Sequence, residues 1–153
     1  MENLPLDSLA IIIVIFTISS LIYFSIRTWR TNSLFQQGIN FYQTKDYQNA
    51  EKYFRQVIAI NSTNDVVHLL LGDTLMQQQQ VEAAISKYEE VINRAPKKID
   101  AHLRLANALL LQNQQKEAID ILKQAEDYFQ SKRYVNELAR LKEILQKIES
   151  QFN

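Results

Sequence analysis

The sequence of 153 residues contains no cysteine and only two glycines and two prolines. The missing cysteine excludes a disulfide framework, a thiolate metal site and a thiol nucleophile. The scarcity of glycine and proline removes most of the turn chemistry that a β-rich fold needs, so we predict an all-α fold. An excess of one charge is also missing, because 17 basic residues balance 17 acidic ones. Without a basic stripe or an acidic run, we expect neither a nucleic-acid partner nor a disordered charged tail.

One long apolar run lies near the N-terminus, where Leu9 to Ile26 forms 18 residues without a charge. Together with its flanks, residues 8–29 would reach ~33 Å as an α-helix, enough to cross a hydrocarbon core of ~30 Å. Tyr23 and Trp29 lie toward the C-terminal end of this run, where amphipathic rings favour the membrane interface. We therefore predict a single-pass transmembrane anchor within residues 1–30, in contact with the lipid bilayer through residues 8–29.

Two alternatives to an anchor have different signatures. A cleaved signal peptide favours positive charge before the apolar run, whereas Glu2 and Asp7 precede it here. A buried helix of a soluble protein rarely runs this long without a polar face. Arg27 and Arg30 flank the far end, and positive charge stays on the side of synthesis. We therefore expect the rest of the chain on the cytoplasmic or stromal side.

The remainder of the chain matches itself at an offset of 34 residues. Four columns stay in step: Gly38, Gly72 and Ala106; Ala50, Ala84 and Ala118; Phe54, Tyr88 and Leu122; Val57, Val91 and Ala125. The small residue allows two antiparallel helices to approach closely, and the alanine is the matching contact on the second helix. The bulky residue is expected to fill the space between neighbouring hairpins. Three units in step predict an α-solenoid.

This pattern resembles the tetratricopeptide repeat, whose characteristic segments can be read in QQGINFYQTKDYQNAEKYFRQVIAIN, LLGDTLMQQQQVEAAISKYEEVINRAP and RLANALLLQNQQKEAIDILKQAEDYF. The resemblance covers residues 31–130. It implies three helical hairpins, at approximately 31–64, 65–98 and 99–132. The sequence departs from the family at the aromatic position four residues before each small residue, which is occupied by Leu34, His68 and His102.

A further helix is predicted after the third hairpin, in residues 132–153. Its apolar residues follow a 4-3-4-3 spacing, at Tyr134, Leu138, Leu141, Leu145 and Ile148. This spacing makes one apolar helical face, and charged residues occupy the other positions. Because the small residue of a fourth repeat is missing, we predict a capping helix with a short tail.

The sequence offers little catalytic chemistry. His68 and His102 occupy one column of adjacent repeats, but two imidazoles without a cysteine or a spaced carboxylate pair are a poor ligand set. A packing role is therefore predicted for them instead of a metal site. No glycine-rich phosphate loop, nucleophile elbow or metal-binding spacing occurs. We predict that the protein is not an enzyme and needs neither cofactor nor metal.

The resemblance to tetratricopeptide proteins also implies a concave groove, lined by the first helix of each hairpin. The side chains three before and one and four after each small residue would line it: Phe35, Ile39 and Tyr42; Leu69, Asp73 and Met76; Leu103, Asn107 and Leu110. Family members that hold chaperone C-termini present Lys, Arg and Asn there, whereas these positions carry one Asn and no base. The apolar lining favours an amphipathic helix or an extended apolar segment of a partner. Alternatively, the capping helix or the segment next to the membrane fills part of the groove.

Anchor and repeats together resemble the small thylakoid proteins of cyanobacteria and algal plastids that assist photosystem I assembly. Those open with a Leu-Pro-containing segment, here Asn3-Leu4-Pro5-Leu6, before the span and about three repeats. The resemblance implies a scaffold on the thylakoid membrane that binds photosystem I subunits or assembly factors. Two alternatives stay open. One is a receptor or assembly factor of another membrane, for protein import or cytochrome maturation, and the other is a tethering subunit of an enzyme complex.

Overall fold

A computed structural model describes residues 6–152, which form seven α-helices and no strand. The helices are α1 (Leu6–Gln43), α2 (Tyr47–Ile60), α3 (Asp65–Gln77), α4 (Val81–Arg94), α5 (Ile99–Leu111), α6 (Gln115–Ser131) and α7 (Val135–Phe152). The predicted all-α fold is confirmed. The opening segment with Leu4 and Pro5 lies outside the described residues.

Each helix packs on its neighbours in the chain, which is the contact pattern of a solenoid. Three hairpins are formed by α1 with α2, α3 with α4, and α5 with α6. The second helix of one hairpin then packs on the first helix of the next. α7 packs on α6 through the buried side chains of Leu141 and Leu145, as expected of a capping helix.

The turn inside each hairpin contains one residue with a left-handed backbone. Lys45, Gln79 and Asn113 have φ values of 63°, 62° and 60°, and they are 34 residues apart. In each turn the next N–H donates to a carbonyl five residues earlier, at 2.9 Å, which closes the end of the preceding helix. Arg133 has the same conformation between α6 and α7, with φ of 60°. Four non-glycine residues thus occupy positions that usually favour glycine.

The repeated columns form the core. The alanine of each hairpin and the bulky residue four positions later are at most 1% exposed. A Cβ added at Gly38 would lie 2.6 Å from Cε1 of Phe54, and one at Gly72 would lie 2.4 Å from Cε1 of Tyr88. The aromatic ring therefore covers the glycine of its own hairpin. This corrects the expectation that the bulky residue mainly fills the space between hairpins.

Glutamine side chains in the turns connect successive hairpins. Gln78 Nε2 donates to Glu51 Oε2 at 2.8 Å, and Gln112 Nε2 donates to Glu82 Oε1 at the same distance. Both bonds run from the end of a first helix to the second helix of the preceding hairpin. The glutamine-rich turns therefore contribute to the stacking of the repeats.

The apolar run and the first helix of the first hairpin form one continuous helix, α1. From Leu9 onward it is long and apolar enough to cross a membrane. Its apolar side chains are exposed on every side, with Ile11, Phe16 and Leu21 between 59% and 74% exposed. The rest of the described chain therefore does not cover this apolar surface, in contrast to a helix buried in the core of the same chain.

Candidate protein-binding groove

The nine predicted groove residues lie on α1, α3 and α5, the first helices of the three hairpins. They do not form one continuous open surface. Leu69 is only 8% exposed and belongs to the core. Asn107 is exposed, and the other seven are half-buried: Phe35, Ile39, Tyr42, Asp73, Met76, Leu103 and Leu110. Ile39 packs against the buried core.

A concavity of about 250 Å³ lies at the centre of this surface, and we call it the central concavity. It is lined by Tyr42, Asp73, Met76, Gln77, Tyr88, Arg104, Asn107 and Leu111. Four of the predicted residues therefore meet there, contributed by all three hairpins. Leu111 is 64% exposed at its edge, which gives the concavity an open apolar side chain.

The floor of the central concavity is a polar network around Asp73. Tyr88 Oη donates a hydrogen bond to Asp73 Oδ1 at 2.9 Å. Arg104 Nε lies 2.9 Å from Oδ1 and 3.0 Å from Oδ2 of the same carboxylate. Asp73 on α3 is thus bonded to α4 and to α5. The network fixes three helices relative to one another.

Burial and a neighbouring carboxylate raise the pKa of two phenols in the central concavity. Burial raises the pKa of Tyr88 far above its usual value, and the neighbouring Asp73 carboxylate raises it further. Burial also raises the pKa of Tyr42, with a second contribution from Asp73. Both phenols are protonated at neutral pH, as a tyrosine with its ordinary pKa near 10 also is.

The capping helix covers part of the third hairpin. Leu103 and Leu110 share a cavity of about 320 Å³ with Ile144 and Ile148 of α7. Leu69 lines a separate cavity of about 290 Å³ that also contains Glu137 of α7. Phe35 lies at the opposite end, beside the membrane-proximal part of α1. The central concavity is therefore the part of the predicted groove that draws on all three hairpins.

Sequence reasoning missed Arg104, although its positive charge balances the negative charge of Asp73 in the central concavity. Arg104 lies two residues before Ala106, a position outside the pattern carried over from the family. Its guanidinium is bonded to Asp73, so it does not act as an unpaired base for a ligand carboxylate. The sequence signal that could have indicated this ion pair is an acid, Asp73, and a base, Arg104, that lie 31 residues apart on the first helices of adjacent hairpins.

The two histidines occupy equivalent buried positions. The Nε2 atoms of His68 and His102 lie 2.9 Å from the carbonyl oxygens of Ser62 and Pro96, respectively. Each imidazole thus ties a first helix to the connection that precedes it. Between residues 6 and 152, no three His, Asp or Glu side chains are grouped as a metal site.

Helical hairpins stacked in chain order, with a concave surface on their first helices, define an α-solenoid scaffold. The model of the tetratricopeptide repeat family matches residues 41–86 and 75–142, more than half of the chain. The chain belongs to the tetratricopeptide repeat family, whose members are protein-interaction scaffolds. Curated protein sequences give no match.

Solved structures share this fold. The type III secretion translocator chaperone SycD of Yersinia enterocolitica is 25% identical with a TM-score of 0.67, covering 80% of this chain and 94% of SycD. The TPR2B domain of yeast Sti1, in complex with pHsp70, is 16% identical with a TM-score of 0.67, covering 80% and 98%. PcrH of Pseudomonas aeruginosa, with the chaperone-binding region of PopB, is 18% identical with a TM-score of 0.62, covering 73% and 91%. Two of these three structures are complexes with a protein partner.

Proposed function

We propose that the chain is a membrane-anchored, non-enzymatic scaffold whose central concavity binds an apolar segment of a membrane-protein subunit during assembly. The observation that carries the proposal is the continuity of α1, which is both the apolar helix and the first helix of the first hairpin. A rigid connection holds the repeats close to the bilayer surface. Newly inserted subunits present their membrane-proximal segments at that surface.

The chemistry of the central concavity supports an apolar peptide as the ligand. Three of its polar side chains are engaged with one another, because Asp73 accepts from both Tyr88 and Arg104. Its accessible side chains include Leu111 and the half-buried Met76. A partner side chain that covers Leu111 removes apolar area from water, and burying one such side chain stabilises a complex by about 1.5–3 kcal/mol.

Photosystem I subunits or assembly factors are the partners that we propose, at the thylakoid membrane of a plastid or cyanobacterium. The support is the resemblance of the whole arrangement, an N-terminal apolar helix followed by three repeats and a capping helix, to the thylakoid assembly proteins. Arg27 and Arg30 support an orientation with the repeats on the stromal or cytoplasmic side.

Deletion of the gene in its native organism tests the client assignment. The proposal predicts reduced accumulation of photosystem I, restored by the full-length chain and not by a chain with a disrupted concavity. Normal photosystem I under several light regimes would rule out the assembly role. Co-purification from native membranes separates the alternatives, because import or cytochrome-maturation components, or a single enzyme complex, would then replace photosystem I among the partners.

A further inference from the structure

A larger cavity than those described above lies where α1 leaves the repeats. This juxtamembrane cleft has a volume of about 620 Å³ and is open between α1 and the α2–α3 connection. It is lined by Phe24, Arg27, Thr28, Thr31, Asn32, Phe35, Val57, Ile60, Asn61, Asn64 and Val66. None of these lining residues is acidic.

The depth of the cleft follows from two observations. Arg27 is the first charged residue after the uncharged stretch from Leu9 to Ile26. Its guanidinium donates through Nη2 to the carbonyl oxygen of Ile60, at the end of α2. The α2–α3 connection is thereby held at the depth of Arg27. In a membrane-anchored chain that depth is the headgroup layer, so this inference rests on the anchor of the proposed function.

The hydrogen-bond donors of the cleft include Arg27, Asn61 and Asn64, whereas the hydroxyls of Thr28 and Thr31 already donate to the carbonyl oxygens of Phe24 and Arg27. The Oδ1 atoms of Asn61 and Asn64 accept from the backbone N–H groups of Thr63 and Val67. Each carboxamide nitrogen of these two residues remains as a donor. Arg27 uses one guanidinium nitrogen for Ile60 and keeps further N–H groups. Donors around one positive charge favour an anionic, oxygen-rich ligand.

The walls of the cleft add an apolar requirement. Phe24 lines it from the membrane side, and Ile60 and the half-exposed Val66 line it from the repeats. We infer that the juxtamembrane cleft binds an anionic phospholipid, with the phosphate at Arg27, Asn61 and Asn64 and the start of the acyl chains beside Phe24. A zwitterionic lipid fits less well, because no acidic side chain lines the cleft to pair with its cationic group.

The experiment uses Trp29, the single tryptophan of the chain and two residues from Arg27 on α1, as the reporter. The full-length protein is reconstituted into phosphatidylcholine vesicles that contain a small fraction of brominated phosphatidylglycerol or brominated phosphatidylcholine. Bound brominated lipid quenches Trp29 fluorescence. We expect stronger quenching by the anionic lipid at the same mole fraction. The variant Arg27→Gln should lower the relative affinity for it about tenfold, the loss of one charge-assisted hydrogen bond.

Two further variants distinguish binding in the cleft from non-specific attraction of anionic lipid to positive surface charge. Arg30→Gln removes the same charge near the same depth, but Arg30 does not line the cleft, so the preference should persist. Asn61→Asp keeps the acceptor for Thr63 and adds a negative charge, so the preference should be lost. Equal losses for Arg27→Gln and Arg30→Gln would overturn the inference, as would equal quenching by the two lipids. Full competition by soluble glycerol phosphate would also overturn it, because the ligand would then be a soluble phosphate.

Vesicle flotation after an alkaline wash keeps this result distinct from the anchor. A chain that floats but shows no lipid preference contradicts the cleft assignment alone. A chain that is washed off the vesicles contradicts the anchor, and the cleft assignment fails with it. Inorganic salt should weaken the general attraction of both arginines for anionic lipid equally. The difference in lipid preference between Arg27→Gln and Arg30→Gln should persist at high salt.

Discussion

The ring of Tyr88 lies against Gly72, sixteen residues earlier in the same hairpin, so closely that a Cβ at Gly72 would be 2.4 Å from Cε1. The same ring ends in a hydroxyl that donates to Asp73 in the central concavity. The contact that closes the second hairpin therefore also positions a polar group of the candidate site. In the third hairpin, the glycine position is occupied by Ala106 and the aromatic position by the smaller Leu122. A larger residue at the first position thus accompanies a smaller one at the second.

The Gly72 contact predicts a compensating pair of substitutions. Gly72→Ala should destabilise the protein by about 1–3 kcal/mol, because the added methyl group meets the Tyr88 ring. The cost should be much smaller in a Tyr88→Leu background, which reproduces the pairing of Ala106 with Leu122. Urea unfolding of the full-length chain in detergent, monitored by circular dichroism, measures the free energies of unfolding of this double-mutant cycle. Equal costs of Gly72→Ala in both backgrounds would contradict the packing described here.

The left-handed turn residues predict stabilising substitutions. Gln79 adopts φ of 62°, where a Cβ is unfavourable by roughly 1 kcal/mol, so Gln79→Gly should raise the melting temperature. Asn113 has nearly the same φ, but asparagine tolerates this region better. The matched change Asn113→Gly should therefore help less. The comparison fails if Asn113→Gly stabilises the protein as much as Gln79→Gly.

The buried imidazole of His102 predicts a pH dependence. Burial lowers the pKa of His102 below its usual value near 6.5, because the charged form is poorly solvated. The unfolded chain therefore binds more protons below about pH 6.5, and stability is lost as the pH falls through that value. His102→Gln keeps a donor for the Pro96 carbonyl but cannot titrate. Its melting temperature should fall less than that of the unmodified protein between about pH 7.5 and about pH 5.5. Parallel pH profiles for the two proteins would contradict the assignment.

Partly buried and exposed ion pairs should differ in how much each contributes to the stability of the fold. Asp73 and Arg104 have side chains that are 21% and 35% exposed, whereas those of Arg140 and Asp100 are 56% and 54% exposed. Arg104→Gln should cost about 1–2 kcal/mol, because Asp73 then loses a charge-assisted partner. Arg140→Gln should cost at most about 0.5 kcal/mol. Thermal melts of both variants at low and high salt test this order, and a reversed order would show that the network around Asp73 is not structural.

Much of the fold could be predicted because small residues mark the positions at which the two helices of a hairpin pack closely. Gly38 and Gly72 have room for no side chain, and Ala50 and Ala84 are fully buried, so the 34-residue spacing is visible in the sequence. The groove was harder to predict. Leu69 was expected to line the groove but is 8% exposed, and the residues of α5 and α7 that share a cavity with it are not apparent from its own repeat.

The charge of the central concavity could not be read from single repeats. Asp73 was predicted to line the groove, but its partner Arg104 lies on the next hairpin at a different position relative to the small residue. The packing of α7 is likewise set by the length of α6 and by the turn at Arg133. Both features depend on how hairpins stack, and the stacking geometry follows from packing across repeats, not from the periodicity itself.

Co-purification of photosystem I subunits from solubilised native membranes tests the central claim most directly. The variant Asn107→Glu with Leu111→Glu places two charges on exposed residues of the central concavity. Its control is Val135→Glu with Asn136→Glu, which likewise replaces an asparagine and an apolar residue at exposed positions, here on α7. If the concavity binds the client, the first variant should retain less than about a tenth of the subunits bound by the control, the loss of one buried leucine contact. Equal recovery by both variants, with equal melting temperatures and membrane insertion, would contradict the account.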